Sequence, residues 1–206
     1  MEIIKLYEVV KYYEYEEELE NVIVGYSRTM EGTKDIISHE ADKELERTIE
    51  AAKDGIAVSK NTLEKFDKLK EAGFSELLDY FCNGGREAIE EKVMEISEKT
   101  GVCVEFKPEI IEEKYTGEKM YGHVNKDMIT IDIDYQHWFY TTENDMHRDI
   151  EVMKGYIERK QNMLNRIKCD KLEYLRNQRG TYFETNEIEA IDFNGKICKL
   201  DEIEVE

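Results

Sequence analysis

Residues 123 to 147 hold the clearest candidates for metal chemistry. Asp132 and Asp134 lie two apart in an Ile-rich segment, with His123 and His137 on either side. Carboxylates two apart on a strand share a face, and together with histidines they could hold a divalent metal, as in a nuclease or phosphoesterase. Further possible ligands follow at Glu143, Asp145 and His147. Alternating aspartates are also typical of a solvent-facing strand, and neither HExxH nor HxH occurs. A metal-dependent enzyme is therefore an alternative only, and we assign no metal ligand and no cofactor.

Nucleophilic catalysis has weaker support. Cys103 and Cys198 are predicted to be buried in strands, where thiols are usually inert packing. Cys82 lies near a glycine turn, but no histidine is close to it in sequence, and no GxSxG motif occurs. Cys169 is the fourth cysteine, and no two of the four have CxxC spacing. This pattern favours reduced thiols in a cytosol. We therefore predict a protein that is not an enzyme.

Net charge is the strongest compositional signal. The chain has 48 acidic and 29 basic residues, a formal charge of −19. Such a field disfavours direct binding to nucleic acid and favours a basic protein surface as partner; the alternative is that the acidity serves solubility alone. The candidate partner-binding residues are Glu14, Glu16, Glu17, Glu18, Glu20, Glu112, Glu113, Asp132 and Asp134.

These observations favour a non-catalytic inhibitor that occupies a basic nucleic-acid-binding groove on its target by imitating phosphate charge. Inhibitors of bacterial defence nucleases work in this way. The composition, rich in Lys, Glu, Ile, Tyr and Asn, is typical of small accessory proteins of phages and mobile elements. The hypothesis is thus a nucleic-acid mimic of the anti-defence type.

One stretch departs from the general acidity. Its basic residues are Arg159, Lys160, Arg166, Lys168, Lys171, Arg176 and Arg179, against only Asp170 and Glu173. We expect acidic residues elsewhere in the chain, in the N-terminal hairpin or the C-terminal tail, to neutralise it. The alternative is an open surface for nucleic acid or an acidic partner.

Two stretches of the sequence have a heptad-like spacing of apolar residues, which we call seams, and the helices they predict would position the charged residues. Leu45 to Phe66 carries one, and Thr142 to Arg179 carries the other, with apolar residues alternating three and four apart. We predict helices over about 39–71 and 142–179, packed as an antiparallel coiled-coil-like arm. Gly55 inside the first indicates close packing or a weak point. A homodimer, as in a coiled-coil adaptor or assembly protein, is the alternative use of the seams.

Strands account for most of the remainder. Ile3–Tyr15 and Val22–Tyr26 predict a hairpin with a loop over Glu16–Asn21, and Asn194-Gly195 predicts a second hairpin that pairs Phe193 with Lys196. A further strand is predicted over Val102–Phe106. A third hairpin would join Tyr121–Val124 to Met128–Asp134, continued by Gln136–Tyr140. Short helices are expected over Glu76–Phe81, capped by Ser75, and over Arg86–Lys99. The prediction is a single α+β domain over residues 1–206, built from small antiparallel sheets of hairpins and the helical arm.

The N-terminus, MEIIKLYEVV, lacks the basic start and long apolar core of a signal peptide. No apolar run approaches the roughly 18 residues that span a bilayer. We therefore expect a cytoplasmic protein that does not engage a membrane.

Overall fold

The computed structural model describes residues 3–16, 18–107, 128–133, 136–140, 142–193 and 196–199. These residues form helices and antiparallel sheets of hairpins, so the predicted α+β class is confirmed. The elements are β1 (Ile3–Tyr15), β2 (Glu18–Ser27), α1 (Met30–Glu71), α2 (Phe74–Cys82), α3 (Ile89–Thr100), β3 (Cys103–Lys107), β4 (Met128–Ile133), β5 (Gln136–Tyr140), α4 (Glu143–Cys169), α5 (Lys171–Arg179), β6 (Tyr182–Phe193) and β7 (Lys196–Lys199).

The chain divides into two compact units. The first comprises Met1–Lys53 and Gln161–Glu206, and the second comprises Asp54–Lys160. The boundaries fall inside α1 and α4. That the chain forms a single domain stays a prediction.

The first unit contains a four-stranded antiparallel sheet with the strand order β2-β1-β6-β7. The register of the last hairpin is as predicted, since Phe193 pairs with Lys196. The loop predicted over Glu16–Asn21 is wrong, because β2 already begins at Glu18 and pairs there with Tyr15. The β-branched run over residues 22–24 extends toward the turn through residues 18–21, because each of the latter pairs with a residue of β1.

The helices of the first unit pack around a small core of Ala41, Leu45, Ile167 and Leu175. Helix α1 begins at Met30, earlier than the predicted start near residue 39. Thr29 provides the physical reason, since its hydroxyl accepts a hydrogen bond from the Gly32 amide at 3.0 Å and so serves one of the free N–H groups of the first turn.

A second correction concerns the helix predicted over residues 142–179, which is two helices with a break at Asp170. Asp170 has an extended backbone, with φ −153°, and its carboxylate accepts from the Glu173 amide at 2.9 Å. It therefore caps α5 instead of continuing α4. The predicted start of α4 is confirmed, because the Thr142 hydroxyl accepts from the Asp145 amide and donates to its carboxylate.

The second unit contains a three-stranded antiparallel sheet with the order β3-β4-β5. Gln136–Tyr140 was predicted to continue β4, but it returns beside β4 as β5, with Gln136 paired to Ile133. Strand β3 pairs with the other side of β4. The strand predicted at Tyr121–Val124 lies outside the described residues.

The core of the second unit joins this sheet to α1, α2, α3 and α4, with Phe66, Phe74, Ile131 and Tyr140 at its centre. Helix α2 begins at Phe74 after Gly73, without a side-chain cap from Ser75. Helix α3 begins at Ile89, after the predicted Arg86, because Ala88 adopts a left-handed conformation.

Side chains from the two predicted seams meet within each unit. In the second unit, Gly55 of α1 lies so close to Tyr156 of α4 that an added Cβ would collide with the Tyr156 hydroxyl. The close packing expected at Gly55 is therefore present. Assembly of the two helices into a coiled-coil arm stays a prediction.

Candidate binding surface

Four of the predicted contact residues lie together on the β1–β2 hairpin. Glu14 is in β1, Glu16 follows β1, and Glu18 and Glu20 are in β2. The side chains of all four are exposed, and among the described residues no cation pairs with them. Glu16 has φ 50°, in the left-handed region that residues other than glycine seldom adopt. We refer to these four carboxylates as the hairpin acids.

The register decides which hairpin acids share a face. Glu18 and Glu20 are two apart in β2, so their side chains project from the same face about 6.8 Å apart. Glu14 pairs with Leu19 and projects from the opposite face. Tyr13, directly across from Glu20, donates its hydroxyl to the Glu20 carboxylate at 2.9 Å. This hydrogen bond and the negative charge of Glu20 raise the pKa of Tyr13.

A recess of about 320 Å³ adjoins the part of β1 that leads into the hairpin turn, and it is lined by Lys11, Tyr13, Glu14, Glu44, Arg179 and Thr181. Within it, Glu44 of α1 lies 2.7 Å from the Lys11 ammonium and 3.9 Å from the Arg179 guanidinium. The recess thus contains both charge signs, and its two cations are directed at Glu44. Glu14, at the rim, has no such partner among the described residues.

The basic stretch of α4 and α5 is neutralised in part. Lys171 lies 2.7 Å from Asp42, and Arg179 pairs with Glu44, so α1 supplies the acids that were expected from the hairpin or the tail. The Lys160 ammonium lies over the ring of Tyr156. Exposed residues with no ion pair in the described part of the chain are Arg159, Arg166, Lys168 and Arg176. The molecule therefore keeps some open positive charge.

Other acids of the first unit differ from one another: Glu46 of α1 is exposed without an ion pair among the described residues, whereas two acids of the sheet are paired. Glu8 is buried on the sheet and pairs with Lys199 of β7. Glu187 of β6 pairs with Lys5 at 3.0 Å. The hairpin acids are thus distinguished by lying next to one another on one hairpin, and not by being the sole open carboxylates of the described part of this unit.

The candidate metal set is only partly described. Asp132 and His137 face each other across β4 and β5, with 2.6 Å between carboxylate and ring nitrogen, while Asp134 and His123 lie outside the described residues. Asp145 is held by Thr142 and the helix start. Within the described residues, no group of three or more His, Cys, Asp or Glu is placed to hold a metal ion.

Cys103 was predicted to be buried, but its side chain is exposed, and it pairs with Asp132 across β3 and β4. Cys103, Asp132 and His137 therefore lie side by side on one face of the sheet. Partial burial, then Glu105 and Asp132, raise the pKa of the Cys103 thiol, which is the opposite of what an activated nucleophile needs. Sequence reasoning missed this row because it depends on pairings between distant segments.

The other predicted residues divide as follows. Cys82 and Cys169 are exposed free thiols, and Cys198 is half-buried. Asp132 belongs to the second unit, whereas the hairpin acids belong to the first. Glu17, Glu112 and Glu113 lie outside the described residues.

Comparison with protein-family models, curated proteins and solved structures finds no match for this chain. In the part of the chain that the structure describes, no helix has both the length and the apolar character needed to cross a membrane.

Proposed function

We propose that the protein is a non-catalytic inhibitor that binds a basic protein surface, of the kind that holds nucleic acid, through the hairpin acids. The observation that carries the proposal is that Glu14, Glu16, Glu18 and Glu20 are exposed together and have no cation partner among the described residues. A carboxylate on an exposed strand keeps its charge available to an incoming cation, because no internal ion pair must first be broken.

The overall charge supports the proposal further. The net charge of −19 adds a long-range field that draws a basic partner in and speeds encounter. The proposed setting is the cytoplasm, in an inhibitor of the phage or mobile-element anti-defence type.

The test is competition for a basic target. The chain is immobilised, extract of the source cells is passed over it, and bound proteins are eluted with rising salt or with excess duplex DNA. We expect nucleic-acid-binding proteins to be released by duplex DNA and by about 0.5 M salt, where the screening length is about 4 Å. Captured proteins that remain bound unchanged at molar salt, or that duplex DNA does not release, would contradict the proposal.

A matched pair of variants assigns the effect to the hairpin. The first neutralises the hairpin acids (E14Q/E16Q/E18Q/E20Q), and the second neutralises four exposed glutamates of the other unit, Glu64, Glu90, Glu91 and Glu98. Both change the net charge by the same amount. We expect at least a tenfold loss of affinity for the captured protein in the first and less than a threefold loss in the second. Equal losses would mean that only the overall charge matters.

A further inference from the structure

Strand β2 lies at one side of the four-stranded sheet and, among the described residues, pairs only with β1. It is ten residues long, contains no proline, and carries two charged residues, Glu18 and Glu20. Its first six side chains, residues 18–23, are all exposed, including Leu19, Val22 and Ile23. Proteins usually protect a sheet edge with lysine, proline or a very short strand, because an open edge offers unpaired backbone groups to another chain. Those protections are absent from this stretch.

The backbone groups on the open side can be assigned from the register. Tyr15 pairs with Glu18 across a two-residue connection, so this pair is the hydrogen-bonded kind that closes a hairpin. Hydrogen-bonded and non-hydrogen-bonded pairs then alternate along an antiparallel ladder. The amides and carbonyls of Leu19, Asn21 and Ile23 therefore point away from β1.

The two faces of this edge differ in chemistry. Glu18, Glu20 and Val22 project from one face, and Leu19, Asn21 and Ile23 project from the other. The ladder shifts between Val9 and Val10, opposite Gly25 and Ile23, so the regular edge covers about the first six residues of β2. An added strand would place its own side chains opposite these, face by face.

We infer that β2 binds its partner by strand addition, and that the occupant is an extended basic segment in which Lys or Arg alternates with β-branched residues. Its cations would lie opposite Glu18 and Glu20, and its uncharged residues opposite Leu19 and Ile23. Main-chain hydrogen bonds would give affinity and the alternating charges would give register. A second copy of the chain fits less well, because it would bring two sets of hairpin acids and two charges of −19 together.

This inference rests on the proposed function and specifies how the partner is engaged. The probe is a fluorescein-labelled ten-residue peptide of alternating lysine and threonine, titrated by anisotropy with the full chain at low salt. The control peptide has five lysines followed by five threonines, with the same charge and composition. We expect the alternating peptide to bind at least tenfold more tightly, because only it can present every cation to one face of β2.

The matched variants are Asn21→Pro, which removes an outward amide without removing a hydrogen bond to β1, and Asn21→Ala, which keeps that amide. We expect at least tenfold weaker binding of the alternating peptide to N21P and less than a twofold change for N21A, with unchanged melting temperatures. In the wild-type chain, amide exchange at Leu19, Asn21 and Ile23 should slow at least tenfold on saturation with the peptide. Exchange at Glu20 and Val22 should change little, since those amides already face β1.

The alternative outcomes are distinct. Equal binding of both peptides, unaffected by N21P but weakened by E18Q/E20Q, would overturn strand addition and leave the proposed function standing. No binding of either peptide, or unchanged amide exchange, would also overturn it. A wild-type dimer in light scattering that N21P converts to a monomer would show that a second copy occupies the edge, which contradicts the inference.

Discussion

Strands β2 and β4 both contain β-branched residues but have opposite environments. In β4, five of six side chains are buried, and Ile131 has no exposed surface. In β2, Val22 and Ile23 are 42% and 41% exposed, although they are equally β-branched. Strand β4 lies between β3 and β5, whereas β2 pairs with β1 alone among the described residues. Position in the sheet, and not β-propensity, therefore decides burial here.

The two strands also treat carboxylates differently. Asp132 of β4 lies 2.6 Å from the His137 ring, whereas Glu18 of β2 has no cation partner among the described residues. The buried strand contributes to stability and can tolerate few changes. The exposed strand contributes little to the core, so its residue types are free to serve binding. Two of the three predictions below test this division, and the other tests the same contrast between packed and open positions on the helices.

The largest expected effect is on β4. Ile131→Ala removes a side chain that is buried in the core of the second unit, and we expect the free energy of unfolding to fall by about 3 kcal/mol, from lost transfer energy and the cavity left behind. The same substitution on β2, Ile23→Ala, should cost about 1 kcal/mol or less. Urea denaturation followed by circular dichroism measures both. Equal losses would mean that β2 is covered as well as β4, and the comparison would fail.

A smaller effect separates a tightly packed helix position from an open one. Gly55→Ala gains about 1 kcal/mol of helix propensity, but the new methyl group would meet the Tyr156 hydroxyl, at an overpacking cost of about 2 kcal/mol. We expect a net loss of about 1 kcal/mol. The matched substitution, Gly155→Ala in α4, meets only the mobile end of Arg159 at 3.3 Å and should stabilise by up to about 1 kcal/mol.

Thermal or urea denaturation of both glycine variants gives the signs. Gly55→Ala introduced together with Tyr156→Phe provides the control, because removing the hydroxyl should recover much of the loss. If Gly55→Ala stabilises the wild-type chain, α1 and α4 are not in close contact at this point.

Local chemistry explains which parts of the fold were predictable. Asn194-Gly195 specifies a two-residue turn, so the register of Phe193 with Lys196 followed from the sequence. Thr142 and Asp145 formed a recognisable cap. The break at Asp170 also had a local signal, an aspartate three residues before Glu173, but the apolar period continues through it and favoured one helix.

The candidate surface was predictable in composition and not in arrangement. Glu14, Glu16, Glu18 and Glu20 were recognised as an acidic group, yet the sequence placed most of them in a loop. Their division between faces depends on the register of β1 and β2, and the open edge depends on the strand order, which involves β6 from the far end of the chain. Non-local pairings of this kind leave no local signal, since either order satisfies the same period-two pattern.

The smallest expected effect is a change in the pKa of Tyr13, which tests the register of β1 with β2 directly. Glu20 accepts the Tyr13 hydroxyl and raises its pKa, so Glu20→Gln should lower the pKa of Tyr13 toward the ordinary value of 10.0. Because the raised pKa favours the protonated phenol in the folded state, this contribution to stability is complete below pH 10 and is lost as the pH rises through the folded pKa. Carbon-13 NMR of the tyrosine ring carbons, titrated to alkaline pH, follows the site.

Glu18→Gln is the matched control, since Glu18 is on the same face but makes no hydrogen bond to Tyr13, and we expect a much smaller change in the Tyr13 pKa. A larger change with E18Q than with E20Q would indicate that Tyr13 faces a different residue of β2 than the register places there. Little change with either variant would instead indicate a slip of one residue, which places Leu19 or Asn21 across from Tyr13 and moves the outward amides from Leu19, Asn21 and Ile23 to their neighbours. The pattern of amide protection expected for an added strand would then be reversed, so this titration fixes which backbone groups of β2 are available to a partner.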